Sequence, residues 1–419
     1  MLQGKTLSLD AASISIPDAT NKSSDRVDQP MRAFAGGYYN NLQALYDYLG
    51  VRYHSQPFLF EFAECHETVA APGASHGRDR SYFVHASNLH RLPPRPSDIG
   101  LVPHVLQTLY LIVTYTWFAL CCSFIEPTRG ETLQQYLNRM RTPRHFVTYY
   151  LLPLLSSVST CPHDSLLAFP ASDIIGYKRK THGAPHYTVS EGVRGVQDRL
   201  IKGIDVTLNA TVTAVEPFDK GVRISWTQAA GSEVSTHTAQ FDRVILAVTP
   251  DVVGRLFRPL QHHMHRIPTA VVESVVHTDL TVMGGDHVEK IASQNAQLIH
   301  LNTTSENMLQ TESHHLQPCG VVVTTCPFSG FRESSVIQRS KFTRVLRTPE
   351  SQRIVNAVFE DDAARHADDK SVPLWRNGDD NVWLVGGWCW DGMVLLEGCV
   401  VSAMRVADAF DVHVPWRRQ

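Results

Sequence analysis

Residues 381–410 constrain the fold more than any other stretch. NVWLVGG reads as a strand buried on both faces, WCWDG as a tight turn, and MVLLEGCVVSAMRVADAF as a helix. The small residues Gly398, Cys399, Ser402, Ala403 and Ala407 would let that helix approach a neighbour closely. A strand, a glycine turn and a helix N-terminus together form a generic anion site, because first-turn amides have no intrahelical partner and the helix dipole adds positive potential. Gly386, Gly387 and Gly392 would bring the backbone close to a ligand. On its own such a turn is more often structural than functional.

The preceding sequence supplies the elements such a unit needs. FDRVILAV, residues 241–248, is a short apolar run expected of a buried parallel strand, and Thr249 and Pro250 supply the N-cap and N1 residues of a following helix. Before it, DVTLNATVTAVEP and GVRISWTQ alternate around a turn at Asp219, Lys220 and Gly221, predicting a β-meander. A helix with Val193, Val196 and Leu200 on one face precedes the meander. VVESVVHTDLTVM and GVVVTTCP are further strand-like segments, and residues 328–380 read as a polar excursion.

The first half is more helical. YYNNLQALYDYLG places Leu42, Leu45, Tyr46 and Leu49 at helical spacing before a glycine stop. ETLQQYLNRM and RHFVTYYLLPLL predict two more helices, the second ending or kinking near Pro153. Residues 92–96 (LPPRP) form a connector, and residues 66–80 read as a loop. The run from Val105 to Ile125 carries no charge and has bilayer-spanning length. Gln107, Thr108, Thr114 and Thr116 dilute it, so a buried core helix is the first expectation; a helix resting on a membrane, or a single span, are the alternatives.

Composition narrows the classes. Lys plus Arg number 38 against 41 Asp plus Glu, a net charge of −3, so nothing in the balance would neutralise a phosphate backbone, and nucleic acid is not expected as a partner. Eight cysteines occur without a C-x-x-C pair, which points to a reducing, intracellular compartment. Sequons at Asn21, Asn209 and Asn302 have no signal peptide at Met1 to accompany them and are read as unused. His262, His263 and His265, with His314 and His315, lack a carboxylate or cysteine at ligand spacing, so no metal is assigned.

The closing block resembles the C-terminal FAD motif of flavin amine oxidases. Earlier blocks follow in that family's order: RAFAGGYYNNLQALYDYLG, GVRGVQDRLIKGIDVTLNATVTAVE and FDRVILAVTPDVVGRLF. FVTYYLLPLLSSVST, LLAFPASDII, VVHTDLTVM and the terminal VPW are similar to a subgroup of predicted NAD/FAD-binding proteins often encoded with cyclopropane fatty acid synthases. The resemblance implies FAD, with Val212 at the adenine, Gly387 and Trp388 at the ribityl-pyrophosphate, the amides of Met393 and Val394, in the first turn of the last helix, at the flavin N1 and O2 edge, and Gly386 and Gly392 also at the cofactor. Two departures stand out. Trp388 occupies the place where many relatives carry an acidic residue, with Asp391 as a nearby substitute, and no G-x-G-x-x-G occurs in the chain. Either the gene model starts late, since MLQGKTLSLD begins about where the family's third strand would, or the segment has been lost.

The expected fold is therefore α/β: an incomplete FAD-binding, Rossmann-like domain interleaved with an α+β substrate domain. The segments are 1–62 (partial FAD domain), 63–185 (helical, substrate side), 186–260 (FAD domain with the meander), 261–380 (substrate-domain sheet) and 381–419 (C-terminal FAD motif). The expected function is FAD-dependent oxidation, or flavin-assisted isomerisation, of a small apolar substrate of lipid or polyketide type. The alternative is a non-redox scaffold, binding protein or cyclase without the cofactor. No residue pattern assigns a catalytic base. His277 and Asp279 share a strand face, either flanking a substrate or making a structural contact; Trp388 and Trp390 either wall a flavin or pack on the last helix; Glu397 is either buried with a partner or facing solvent.

Overall fold

The computed structural model describes residues 12–16, 25–29, 33–65, 80–87, 94–96, 99–230, 233–283, 296–304, 310–359 and 373–417. Its largest element is a mixed sheet of seven strands in the order Val336–Val345, Thr269–His277, Val322–Thr325, Thr311–Leu316, Gln297–Thr304, Phe58–Cys65 and Arg80–Ser87. All neighbours run antiparallel except Gln297–Thr304 and Phe58–Cys65, which pair in parallel. The fold is thus α/β, with a large mixed sheet and helices packed on it.

Side chains alternate across this sheet and give its faces different chemistry. Phe58, Phe60, Phe62, Ile299 and Leu301 enter the main core together with the helices. Leu59, Leu298 and Val322 point the other way, onto Val282 and Met283. On that second face Glu61, His300, His314 and Thr324 stand in register across four strands. Burying such a row costs less because its members bond to one another. Ser81 donates to Glu61, His300 Nδ1 lies 3.0 Å from the same carboxylate, and Thr324 Oγ1 lies 2.8 Å from His314 Nδ1 and 2.7 Å from His277 Nε2.

The second unit is thinner. Val244–Leu246 and Val382–Leu384 pair in parallel, as their apolar runs predict, and no third strand joins them among the described residues. Beside them lies the predicted meander, Ala210–Phe218, Gly221–Ala230 and Glu233–Phe241. Val253, Phe257, Leu260, Ile354, Val355, Val358 and Trp388 close the core. Ile245, expected to be buried on both faces, is 47% exposed because nothing among the described residues covers its side of the pair.

Several expectations are corrected. The polar excursion at 328–380 holds the strand Val336–Val345 and an amphipathic helix, Pro349–Phe359, with Ile354, Val355 and Val358 inside. An edge strand alternating VIQRSKFTRV carries too little apolar signal to be recognised alone. The last helix spans Leu396–Ala409, with Leu395 in extended conformation as its N-cap, so Met393 and Val394 lie ahead of the helix and not in its first turn. The reason is Gly392, at φ +154°, under the Trp390 ring. The apolar segment forms a helix, Leu101–Phe124, but not a core helix: eleven of its large apolar side chains are exposed. Near Pro153 the helical path passes through a π-turn at Val147–Leu151, which absorbs the missing proline amide. Of the loop expected at 66–80, residues 66–79 lie outside the described residues and Arg80 opens the strand Arg80–Ser87.

Candidate functional site

The two units meet over a cavity of about 210 Å³. Its floor is the aromatic face of the large sheet, with Phe58, Phe60, Ile299, Val323 and His315. Its roof is the glycine turn and the start of the last helix: Gly386, Gly387, Trp388, Val394, Leu395, Leu396 and Cys399. Tyr39, Tyr177 and His186 form one side, Ala247, Val248 and Thr249 another, and Arg344 brings a cation to the wall.

The roof is built so that backbone approaches the hollow. Gly386 has φ +152°, and a Cβ at Gly387 would stand 3.0 Å from the Leu395 carbonyl. The Gly386 amide is taken by Ser402 Oγ at 3.0 Å. Among the described residues, no protein acceptor takes the amides of Gly387, Trp388 or Val394. Unpartnered amides on a cavity wall are the donors an anionic or carbonyl edge needs.

Trp388 does not mimic an acidic ribityl holder. Its Nε1 donates to the Val248 carbonyl at 3.0 Å, tying the ends of the two parallel strands, and its ring covers Gly386. Trp390 instead packs on the last helix over Gly398 and donates to the Met393 carbonyl. Of the residues assigned through the resemblance, Gly386, Gly387, Trp388 and Val394 line the cavity. Four others do not line it. Val212 is 38% exposed on the meander, Asp391 is exposed and accepts from Gln352 Nε2, Gly392 sits under Trp390, and Met393 is buried with its amide toward the Tyr38 hydroxyl.

What holds the turn in place was not visible in the sequence. Arg347 is 2% exposed, and its Nη2 donates to the carbonyls of Trp388 (3.3 Å), Trp390 (2.9 Å) and Gly392 (3.1 Å). Its Nε faces Asp173 at 3.7 Å. Burial pushes the Asp173 carboxyl up to about 6, more than the neighbouring Arg347 charge lowers it. Glu397 is buried and accepts from the amides of Asn41 and Leu42 and from Asn41 Nδ2, capping the helix Asn40–Tyr48 from outside. The last helix, the first helix and the glycine turn are thereby fixed together.

Two other candidate groups lie mostly apart from the cavity. His277 accepts the Asp279 amide on Nδ1, and Asp279 is held by Arg332 at 2.9 Å. Burial would raise the Asp279 carboxyl, but Arg332 and Thr281 together hold it well below the usual carboxylate range. His262 and His263 lie in a short helix outside the core, while His314 is buried in the sheet. His315 alone of these reaches the cavity; burial lowers it to about 3, so it stays neutral, bonded to Gln297 and Gln317.

No protein-family model and no curated protein sequence matches the chain. Among solved structures it is similar to the cyclohexylamine oxidase from Brevibacterium oxydans IH-35A, at 10% identity and a TM-score of 0.49 over 95% of this chain and 91% of that one. It is similar also to putrescine oxidase with putrescine bound, at 13% identity and a TM-score of 0.48 over 96% and 90%.

Proposed function

We propose that this chain binds the ring end of FAD under the 386–394 turn and acts as an FAD-dependent oxidoreductase, or flavin-assisted isomerase, on a small apolar substrate of lipid or polyketide type. The observation that carries the reading is the cavity roofed by the free amides of Gly387, Trp388 and Val394 and floored by Phe58, Phe60 and Ile299. Glycine at 387 lets the turn pack close to the Leu395 carbonyl, which a Cβ would crowd at 3.0 Å, and leaves backbone as the surface of the roof. When bound, the flavin would supply the redox chemistry; the chain's residues would position it, exclude water and offer donors to its electron-rich edge. The apolar floor supports the substrate class, and Arg344 would orient a polar group on it.

The ADP half fits less well. Among the described residues, the parallel pair Val244–Leu246 and Val382–Leu384 has no third strand, and the chain holds no G-x-G-x-x-G turn to receive a pyrophosphate. This favours the second reading, a non-redox binding protein using the same cavity. Difference absorbance spectroscopy on adding FAD separates the two. The flavoenzyme reading expects the visible flavin band to shift and sharpen as protein is added, and to saturate. An unperturbed flavin spectrum at saturating protein would leave only the binding-protein reading.

A further inference from the structure

The helix Leu101–Phe124 presents a face that water does not favour. Leu106, Leu109, Ile112, Val113 and Leu120 are 48–68% exposed, and no Asp, Glu, Lys or Arg interrupts the helix. Only 28% of its most apolar window is buried, unlike the core helix of a soluble protein. At 24 residues it is about 36 Å long, so this is a contiguous patch and not a scatter of single side chains.

Its opposite side is anchored. Leu111, Thr114, Phe118, Cys121 and Cys122 are buried against the domain. Trp117 Nε1 donates to the Met140 carbonyl at 3.0 Å, and the Tyr136 hydroxyl to the Cys121 carbonyl at 2.9 Å. Crossing a bilayer would require all of these to be broken, whereas lying in its surface would break none.

The rim of the face is basic. Lys178 lies 5.0 Å from the Tyr115 ring centre, Arg141 follows the Met140 that holds Trp117, and exposed Arg144 adjoins His145, whose ring lies 5.8 Å from Tyr110. Residues 99–181 carry seven Lys and Arg against four Asp and Glu, a net of +3 in a chain whose total is −3. A second copy docked by twofold symmetry would set this cationic rim against itself. An anionic lipid surface complements both the apolar face and the rim.

We infer that Leu101–Phe124 is an in-plane membrane-docking helix that seats this domain on a bilayer containing anionic lipids. Flotation with vesicles of phosphatidylcholine mixed with phosphatidylglycerol tests this. Wild-type protein is expected to float with the vesicles. The double variant Leu106→Glu, Val113→Glu is expected to stay behind with unchanged circular dichroism and melting temperature, both positions being on the surface. Arg144→Gln should weaken partitioning about fivefold, and added salt should do the same. Wild-type protein that ignores the anionic vesicles would overturn the inference. So would equal binding of the double variant, or a solution dimer that the double variant dissociates. None of these outcomes depends on whether the cavity holds a flavin.

Discussion

Two sheets of this protein, the seven-stranded one and the parallel pair, differ in how completely they are built. The central strands of the seven-stranded sheet are buried on both faces, down to a hydrogen-bonded row of polar groups from Glu61 to Thr324. The parallel pair Val244–Leu246 and Val382–Leu384 leaves Ile245 half in solvent. The contrast locates where rigidity comes from. The cavity floor is set by the strands of a closed core, while its roof, on the thinner unit, depends on a few buried polar anchors.

The largest expected effect follows from that dependence. Arg347→Met would leave three turn carbonyls unpaired and Asp173 buried without its cation, costing about 3–5 kcal/mol of unfolding free energy in a denaturant titration. Adding Asp173→Asn should recover part of that loss, since the uncompensated acid is then gone. A smaller effect is expected from Leu301→Ala in the closed sheet, about 2–5 kcal/mol from a fully buried site, with the cavity roof left intact. If Arg347→Met proves harmless, the roof is not held as described.

The histidines of the filled sheet region give a pH signature. Burial lowers His163, bonded to Thr311 of that sheet, from an ordinary value of 6.5 to about 4. The unfolded chain therefore binds the proton first, and stability present above about pH 6.5 is lost as pH falls toward 4. His163→Asn should flatten this acid limb by up to about 3 kcal/mol, read from denaturant midpoints across that window. Asp173 acts oppositely. Its carboxyl, raised to about 6, favours the fold at low pH, and that contribution fades as pH rises from about 4 to 6.

Glu397→Ala removes the external cap of the helix Asn40–Tyr48 and should cost about 2 kcal/mol by thermal or chemical melting. The smallest effect belongs to the open side of the parallel pair. Ile245→Thr should change stability by no more than about 0.5 kcal/mol, and a larger loss would mean that the pair is covered after all.

How far these features could be read in advance depends on whether they are local. Apolar runs such as VWLVGG and FDRVILAV announce buried strands in place, and the turn at Asp219 announces a meander, because short-range pattern decides both. Arg347 gave no signal: its partners, the turn at 388–392 and Asp173, are distant in sequence and meet only in the folded chain. Glu397 was ambiguous for the same reason, as its role lies in amides more than 350 positions away. The roof was legible at Gly386 and Gly387, which a close backbone approach requires. It was misread at Met393, because the Trp390 ring over Gly392 delays the helix.

The most direct test compares riboflavin with FAD by quenching of flavin fluorescence. A cavity that receives the ring, with no cradle for the ADP half among the described residues, predicts that both ligands quench with dissociation constants within about tenfold. Absence of quenching by either ligand, or FAD binding that far exceeds riboflavin, would contradict it.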